Sequence, residues 1–495
     1  MWDWLADNLI RLAQSRSRTF LVLVVAFLAG VAAHSIYERP VVGATVVAAA
    51  AMGAVVFSLA ARFDRRVVFV LSAVALAALG FWRYDAAWRG SAYALPSVVV
   101  SGEQFEGTVV SYVRERERDT MLAVETEYGL ARLYVRTPLS YIYGDRISWE
   151  CSPRPVSAED GGWNDRLLLD GVRWTCSVYD NPTVLVSGRG SAMWAAIYSL
   201  KRGVVVSAER VLPEPEASFL LGLLIGIKDG LPTELTDAFR DTGTTHILAV
   251  SGYNVTQLIN VGVLLLALVL VPRRKSSAVM AGAVIVFACV VGGDASVVRA
   301  AIMGCVGILA TLYERRYSGV RALLAAAALM LVVNPLVLRH DVGFQLSFAA
   351  VWGLHALAPG LFGLFPPHWR NGFTRMLSET SSATLATLPI ILMSFGRLPA
   401  VGLLANLLIL PLIPWAMLFG ALAAVVGLVS VPFALVPALV AAWLMRVVEL
   451  VALLCARYVP LALEVQVGAV TVVVLYGWLL MLSVGLARRG RREYG

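Results

Sequence analysis

Charge is scarce in this chain. Only 15% of its 495 residues are Asp, Glu, Lys or Arg, while 59% are hydrophobic. A soluble globular chain of this size has no use for so much apolar surface, so the composition excludes one and indicates a polytopic α-helical membrane protein. Histidine and cysteine are also scarce, five of each. No HExxH, HxHxDH or CxxC occurs, so no metal site is expected, no catalytic residue is assigned and no cofactor is implied. No GxxxxGK[ST] occurs either, so the driving force for any transport must come from elsewhere. Acidic, poly-Ser and poly-Gln tracts are missing, and so is any short tandem repeat.

What is present is a succession of apolar runs. Three come first, at about 20–35, 41–61 and 67–82. Arg11, Arg16 and Arg18 precede the first, and Arg62, Arg65 and Arg66 separate the second from the third. The excess of arginine on one side places the N-terminus in the cytoplasm and residue 83 outside. The first run reads as a signal anchor, since two more follow it at once. Residues 1–82 thus form three N-terminal spans. From 83 to 190 the sequence is that of a water-soluble domain. Segments 105–115, 121–128 and 130–136 alternate apolar and polar residues at period two, 147–151 and 174–179 supply two further strands, and a helical insert covers 164–171. Five short strands with one helix predict a small barrel of the OB type. An amphipathic interfacial helix (191–215) leads back to the membrane. Nine more spans follow within 216–487, at about 246–271, 277–291, 296–313, 320–338, 343–364, 381–395, 401–428, 431–458 and 467–487, and a basic tail closes the chain at 488–495. The apolar run before Lys228 is too short to cross and is expected to be re-entrant or interfacial. Counted from outside, nine crossings end inside, and the basic clusters at 273–275, 315–316, 370–375 and 488–492 all fall on the cytoplasmic side. The expectation is twelve spans with both termini cytoplasmic.

The net charge of +8 invites a nucleic-acid reading, but its location argues otherwise. Between 83 and 189 there are twelve Arg and no Lys against fifteen acidic residues, a net −3. The positive excess belongs to cytoplasmic loops, where topology explains it. Of the cysteines, Cys289, Cys305 and Cys455 fall in predicted spans. Cys151 and Cys176 fall in the outer domain, on strands read as neighbours. An extracytoplasmic location favours a disulfide between them over two free core thiols.

The most informative stretch runs from 219 to 257. After a broken, charged segment (Lys228, Asp229, Gly230, Pro232) and a short polar helix carrying Asp237, Arg240 and Asp241, the chain enters an apolar run at His246. On one continuous helix His246, Tyr253, Gln257 and Asn260 lie within roughly 60° of one another. Such a stripe faces a bundle interior or a wet cavity, because polar groups in hydrocarbon are costly. His246 and Ser251 also admit an intramembrane hydrolase, although five helical residues set them about 140° apart.

His246-Ile-Leu-Ala-Val-Ser251-Gly252 resembles the HLLAISG signature of ComEC-type competence proteins, which carry DNA across the cytoplasmic membrane during natural transformation. Further segments agree. GGDASVVRAAIMG, with Ser296 and Arg299, resembles the family's GxxSxxRA motif; His340-Asp341-Val-Gly343-Phe344-Gln345-Leu-Ser347-Phe resembles its DxGFQLSF segment; LLANLLILPLIP, with Asn406, resembles its LANLLxxP element; and GGWNDRLLLDGVRW resembles a segment of its extracytoplasmic barrel. The resemblance implies a channel for single-stranded DNA; such a strand needs a polar path, and the residues expected to line it are His246, Ser251, Gly252, Asn254, Gln257, Arg299, Gln345 and Asn406, with Asp229, Arg240 and Asp341 at the channel mouth. Arg299 has a structural alternative, snorkelling from its helix end, and Asp341 has another, as a helix cap. The breaks at Pro389, Gly396, Pro399, Pro411 and Pro414 suggest a discontinuous segment along the path. In the barrel, Tyr112 and Tyr134 are candidates for base stacking and Arg132 and Arg136 for phosphate contact, against which stands the net −3. Implied partners are single-stranded DNA, membrane lipid, an external DNA receptor and a cytoplasmic helicase or single-strand-binding protein. Some family members carry a C-terminal metallo-β-lactamase-like domain, whereas this chain stops soon after its last span, so the nuclease is expected to be a separate protein. The rival of another class is a secondary transporter of a small polar solute, which would share broken helices and buried polar groups.

Overall fold

A computed structural model describes residues 16–37, 41, 43–91, 104–115, 119–136, 141–156, 163–227, 230–248, 250, 252–399, 401–458 and 462–493. The chain divides into two compact units, residues 1–190 with 318–341, and residues 191–317 with 342–495.

The first unit opens with α1 (Arg16–Tyr37), α2 (Ala44–Ala60) and α3 (Arg65–Ser91). Gly30 and Gly80 let α1 and α3 approach until backbone meets backbone, since a Cβ on either would collide with a carbonyl of the other helix. The buried Asp85 carboxylate ties the elements together. It accepts from the Val41 amide (2.9 Å), contacts His34 Nε2 (3.2 Å) and pairs with Arg89 (2.7 Å).

Eight strands follow: β1 (Gln104–Val109), β2 (Arg114–Glu115), β3 (Thr120–Thr126), β4 (Gly129–Val135), β5 (Arg146–Glu150), β6 (Arg154–Pro155) and, after the short helix α4 (Trp163–Leu169), β7 (Trp174–Val178) and β8 (Thr183–Val186). They form one mixed sheet in the order β6-β7-β4-β3-β1-β5-β8, with β2 on β3; β4 and β7 are parallel and the other pairs antiparallel. The period-two pattern gives the sheet one apolar face, where Phe105, Leu122, Leu133, Ile147, Trp149, Trp174 and Val178 pack. A disulfide joins Cys151 to Cys176, with Cα atoms 6.2 Å apart. Cys176 lies on β7 and Cys151 in the three-residue link from β5 to β6, the strand next to β7, so the bridge is local to that edge of the sheet. β5 and β6 stand near opposite ends of the strand order yet only three residues join them, so that link and the Trp149–Trp174 stack (6.4 Å) require the sheet to curl over on itself.

The second unit begins with α5 (Ala192–Val211), α6 (Glu216–Ile225) and α7 (Thr233–Asp241), then a 3-10 turn (Thr245–Ile247), α8 (Gly252–Leu268), α9 (Arg273–Val291) and α10 (Ala295–Leu312). The chain next returns to the first unit for α11 (Gly319–Val333) and α12 (Val337–His340). These are held there by Arg83 on the Val332 and Val333 carbonyls (2.8 and 2.6 Å), Arg339 on Ser35 O (2.7 Å), and His340, which meets Asp165 (2.8 Å) and stacks on Trp88. The second unit resumes with α13 (Val342–Ala356), α14 (Ala358–Gly363), α15 (Gly372–Phe395), β9 (Arg397–Pro399), α16 (Gly402–Ile409), α17 (Ile413–Gly427), α18 (Val431–Tyr458), β10 (Ala462–Glu464) and α19 (Ala469–Glu493). Its core lies where α6 and α18 pack against α16 and α17, around Phe219, Leu220, Ile409, Ala416, Met445 and Val448.

Among the described residues eight helices are long and apolar enough to cross a membrane, or nine when α16 and α17, bent by 48° at a short break, count as one. Pro411 sits in that break, and its missing N–H and ring bulk explain the bend. This is a multi-pass membrane protein. Several boundaries differ from the sequence reading. Pro389 lies inside α15 and does not break it, and α15 starts at Gly372 because Asn371 and Thr374 form a reciprocal capping box. From Lys201 onward one face of α5 is packed into the core: Lys201 is 2% exposed and donates to Val290 O (2.9 Å), satisfying a terminal carbonyl of α9.

Candidate functional site

The expected helix from His246 does not form as one piece. Gly243 takes a left-handed conformation (φ 66°), and the Thr242, Thr244 and Thr245 hydroxyls converge on the Phe239 carbonyl. The chain therefore turns tightly, His246 lies in the 3-10 turn, and α8 begins only at Gly252. Asn254, buried one turn into α8, donates to Leu223 O of α6 (2.8 Å).

Arg299 is the centre of this region. It lies one turn into α10 and is 8% exposed. An arginine within a span costs up to about 3 kcal/mol unless it is paired or hydrated, and here it is held. Its Nε donates to Ser347 Oγ on α13 (2.8 Å), and its guanidinium stands near the Phe348 ring. Its Nη2 passes so close to Gly252 that a Cβ there would sit 2.9 Å away. One turn earlier, Ser296 Oγ donates to Val250 O (2.9 Å). Three sequence segments far apart in the chain, 246–252, 293–300 and 341–348, thus meet on one side chain. The alternative of an arginine snorkelling from its helix end does not fit a guanidinium held inward by Ser347.

A cavity of about 1250 Å³ opens beside Arg299. Its polar lining comes from α8 (Tyr253, Asn254, Thr256), α9 (Arg273, Ser276), α10 (Arg299), α13 (His355) and α15 (Glu379, Thr380), with His246 and Tyr317; Pro411 and Pro414 of the bent pair complete the wall. Burial pushes the Tyr317 hydroxyl pKa up, and the charge of Arg299 pulls it the other way.

Of the residues singled out from the sequence, His246, Gly252, Asn254 and Arg299 line this cavity. Gln257, one turn along α8, donates to the Tyr253 hydroxyl. Gln345 is half-buried on α13, and Asn406 is buried on α16 with Oδ1 unpartnered; neither is among the lining residues. Arg240 is exposed on α7 and pairs with Asp237 (2.7 Å). Ser251 and Asp229 lie outside the described residues. Asp341 is the C-cap of α12 in the first unit. In the sheet, Arg132 pairs with Asp170 (2.9 Å), Arg136 covers the Tyr179 ring, Tyr134 has its hydroxyl buried, and Tyr112 is half-buried. Among the described residues no group of three or more His, Cys, Asp or Glu could hold a metal ion. The sequence reading missed Ser347 as the partner of Arg299, and Arg273, Glu379 and Tyr317 as lining. Ser347 stood in a quoted motif, yet its role depends on how α10 and α13 pack, which no local pattern encodes.

The family model described as "Competence protein" matches residues 223–490, just over half of the chain, and includes every residue of this cavity. The chain belongs to the competence protein family. It is 26% identical over 264 residues to ComE operon protein 3 of Bacillus subtilis, covering 53% of this chain and 33% of that one. It is 25% identical over 251 residues to the uncharacterized protein YcaI of Escherichia coli, covering 48% of this chain and 33% of that one. The matched segment thus spans about a third of each relative's length. No solved structure matches the chain.

Proposed function

We propose that the second unit conducts single-stranded DNA across the bacterial cytoplasmic membrane during natural transformation. The observation that carries this reading is the cavity at Arg299, where three family-like segments converge inside a membrane-embedded bundle. The lining is mostly apolar, but five helices place polar groups in it, with Arg273 and Arg299 as phosphate partners and Tyr253 as a stacking surface. At about 1250 Å³ the cavity exceeds the roughly 300–1,000 Å³ of small-molecule pockets, which favours a polymer over a small polar solute.

In this reading the chain crosses the membrane twelve times: the eight long helices, the bent pair, and the shorter α2, α8 and α11. Both termini are then cytoplasmic, and α6, too short to cross, is re-entrant. The curled sheet is an extracytoplasmic OB-like barrel, a reading supported by the short β5–β6 link between its two ends. The chain is a conduit and not an enzyme. An external DNA receptor, a cytoplasmic helicase or single-strand-binding protein, and a nuclease are its partners. The test is complementation of a transformable host whose own copy is deleted. Surface DNA binding and transformants are scored separately. Arg299→Ala is expected to leave surface binding intact and to lower transformants by roughly tenfold or more, the effect of losing a buried charged hydrogen bond. Undiminished transformation in the deletion host itself would overturn the assignment.

A further inference from the structure

The core of the second unit holds two carboxylates that the cavity does not use. Glu216 opens α6 and is 2% exposed; Glu449 lies on α18, 9% exposed, among the core residues Met445, Val448 and Ala452. Arg446, one turn before Glu449 on the same helix face, donates through Nε to Glu216 Oε1. Each carboxylate keeps one buried oxygen without a hydrogen-bond partner, Glu216 Oε2 and Glu449 Oε1. Arg446 joins the two carboxylates into one cluster, since it bonds Glu216 and stands one turn from Glu449.

Two anions against one cation leave an uncompensated negative charge in apolar surroundings. The elements packed on α18 supply no remedy. α16 and α17 carry no charged side chain, and Glu216 is the only one on α6. On α7, Glu234, Asp237, Arg240 and Asp241 are exposed; on α5, Arg202, Glu209 and Arg210 are exposed and Lys201 is bonded to Val290 O. A buried ionised carboxylate without a partner is strongly disfavoured, and close carboxylates resolve the conflict by keeping a proton between them. We propose that Glu216 and Glu449 form a proton-binding site: together they hold one exchangeable proton, which leaves a neutral cluster with Arg446. The site also has a route to the cavity, because α6 carries Glu216 at one end and, at the other, Leu223, whose carbonyl accepts from Asn254. A coupling of proton to cargo along α6 rests on the function proposed above; the proton site itself does not.

The full-length protein in membranes is treated with dicyclohexylcarbodiimide, and its peptides are read by mass spectrometry. The reagent takes the carboxyl proton onto nitrogen, the carboxylate oxygen bonds its central carbon, and acyl migration yields an N-acylurea with no leaving group. One adduct, on Glu216 or Glu449, is expected, with labelling that falls as the pH is raised. Glu449→Gln and Glu216→Gln should each abolish labelling of the remaining carboxylate, since Arg446 then compensates it alone. Absence of an adduct on the unsubstituted protein, or unchanged labelling in either variant, overturns the proposal. So does protection by sodium at constant pH, which would assign the site to a metal cation. These results are independent of transformation, so the proton site can fail while the DNA assignment stands, and the reverse.

Discussion

The contact between Gly252 and Arg299 shows how narrowly the site is built. Only a hydrogen at position 252 leaves the guanidinium its place, since a Cβ there would also lie 3.2 Å from Ala300 Cβ. Gly252→Ala should push Arg299 off Ser347 and weaken a charge-assisted bond of about 1.5–3 kcal/mol. Transformants should fall roughly tenfold while the amount of protein in the membrane stays normal, as scored by immunoblot and transformation frequency. Normal transformation would mean that Arg299 has room to spare. At this scale the sequence was informative about several residues that line the cavity and silent about how they pair. His246, Gly252, Asn254 and Arg299 were picked out as polar or motif positions among apolar neighbours. Ser347 and Glu449 were passed over, because a serine or a glutamate in a span declares its partner only when another helix is packed against it.

The elements were legible wherever the apolar period or a capping residue dominated, and less so where a few side-chain hydrogen bonds redirect the chain. The threonines after α7 turn an apparent continuation into a 3-10 turn, and the Asn371–Thr374 capping box starts α15 well before its apolar run. In the sheet, alternation revealed most of the strands, whereas β8, exposed along its whole length, gave no alternation to read. The disulfide ties the short β5–β6 link to β7, at the point where the sheet curls over. Replacing Cys151 and Cys176 by serine is expected to cost this domain about 2–5 kcal/mol. Full-length protein on the outer face of intact spheroplasts should then be cut between residues 104 and 186 by a protease it otherwise resists. Unchanged resistance would show that the apolar face alone holds the sheet closed.

For the whole molecule, the arginine-rich loops make a prediction that needs no side-chain geometry. On the proposed twelve-span topology, an alkaline phosphatase fused after residue 190 should be active, and the same enzyme fused after residue 316 or at the C-terminus should be roughly tenfold less so, as the positive-inside bias predicts. Equal activity at 190 and 316 would reject the twelve-span topology. The division into units was not legible, since hydropathy registers α11 as one more span in a series and says nothing of which neighbours it chooses.

That choice has a consequence for how the protein is made. Residues 318–341 belong with the N-terminal helices and the sheet, yet they leave the ribosome only after residues 191–317 have been synthesised. The first unit therefore cannot be finished as it emerges, in the usual order of domains. The carbonyls of Val332 and Val333 reach Arg83, and His340 reaches Asp165 and Trp88, only when much of the second unit has already entered the bilayer. A nascent chain halted before residue 318 would leave these side chains waiting for partners not yet translated, so assembly of the two halves is tied together in time by a single strap of 24 residues.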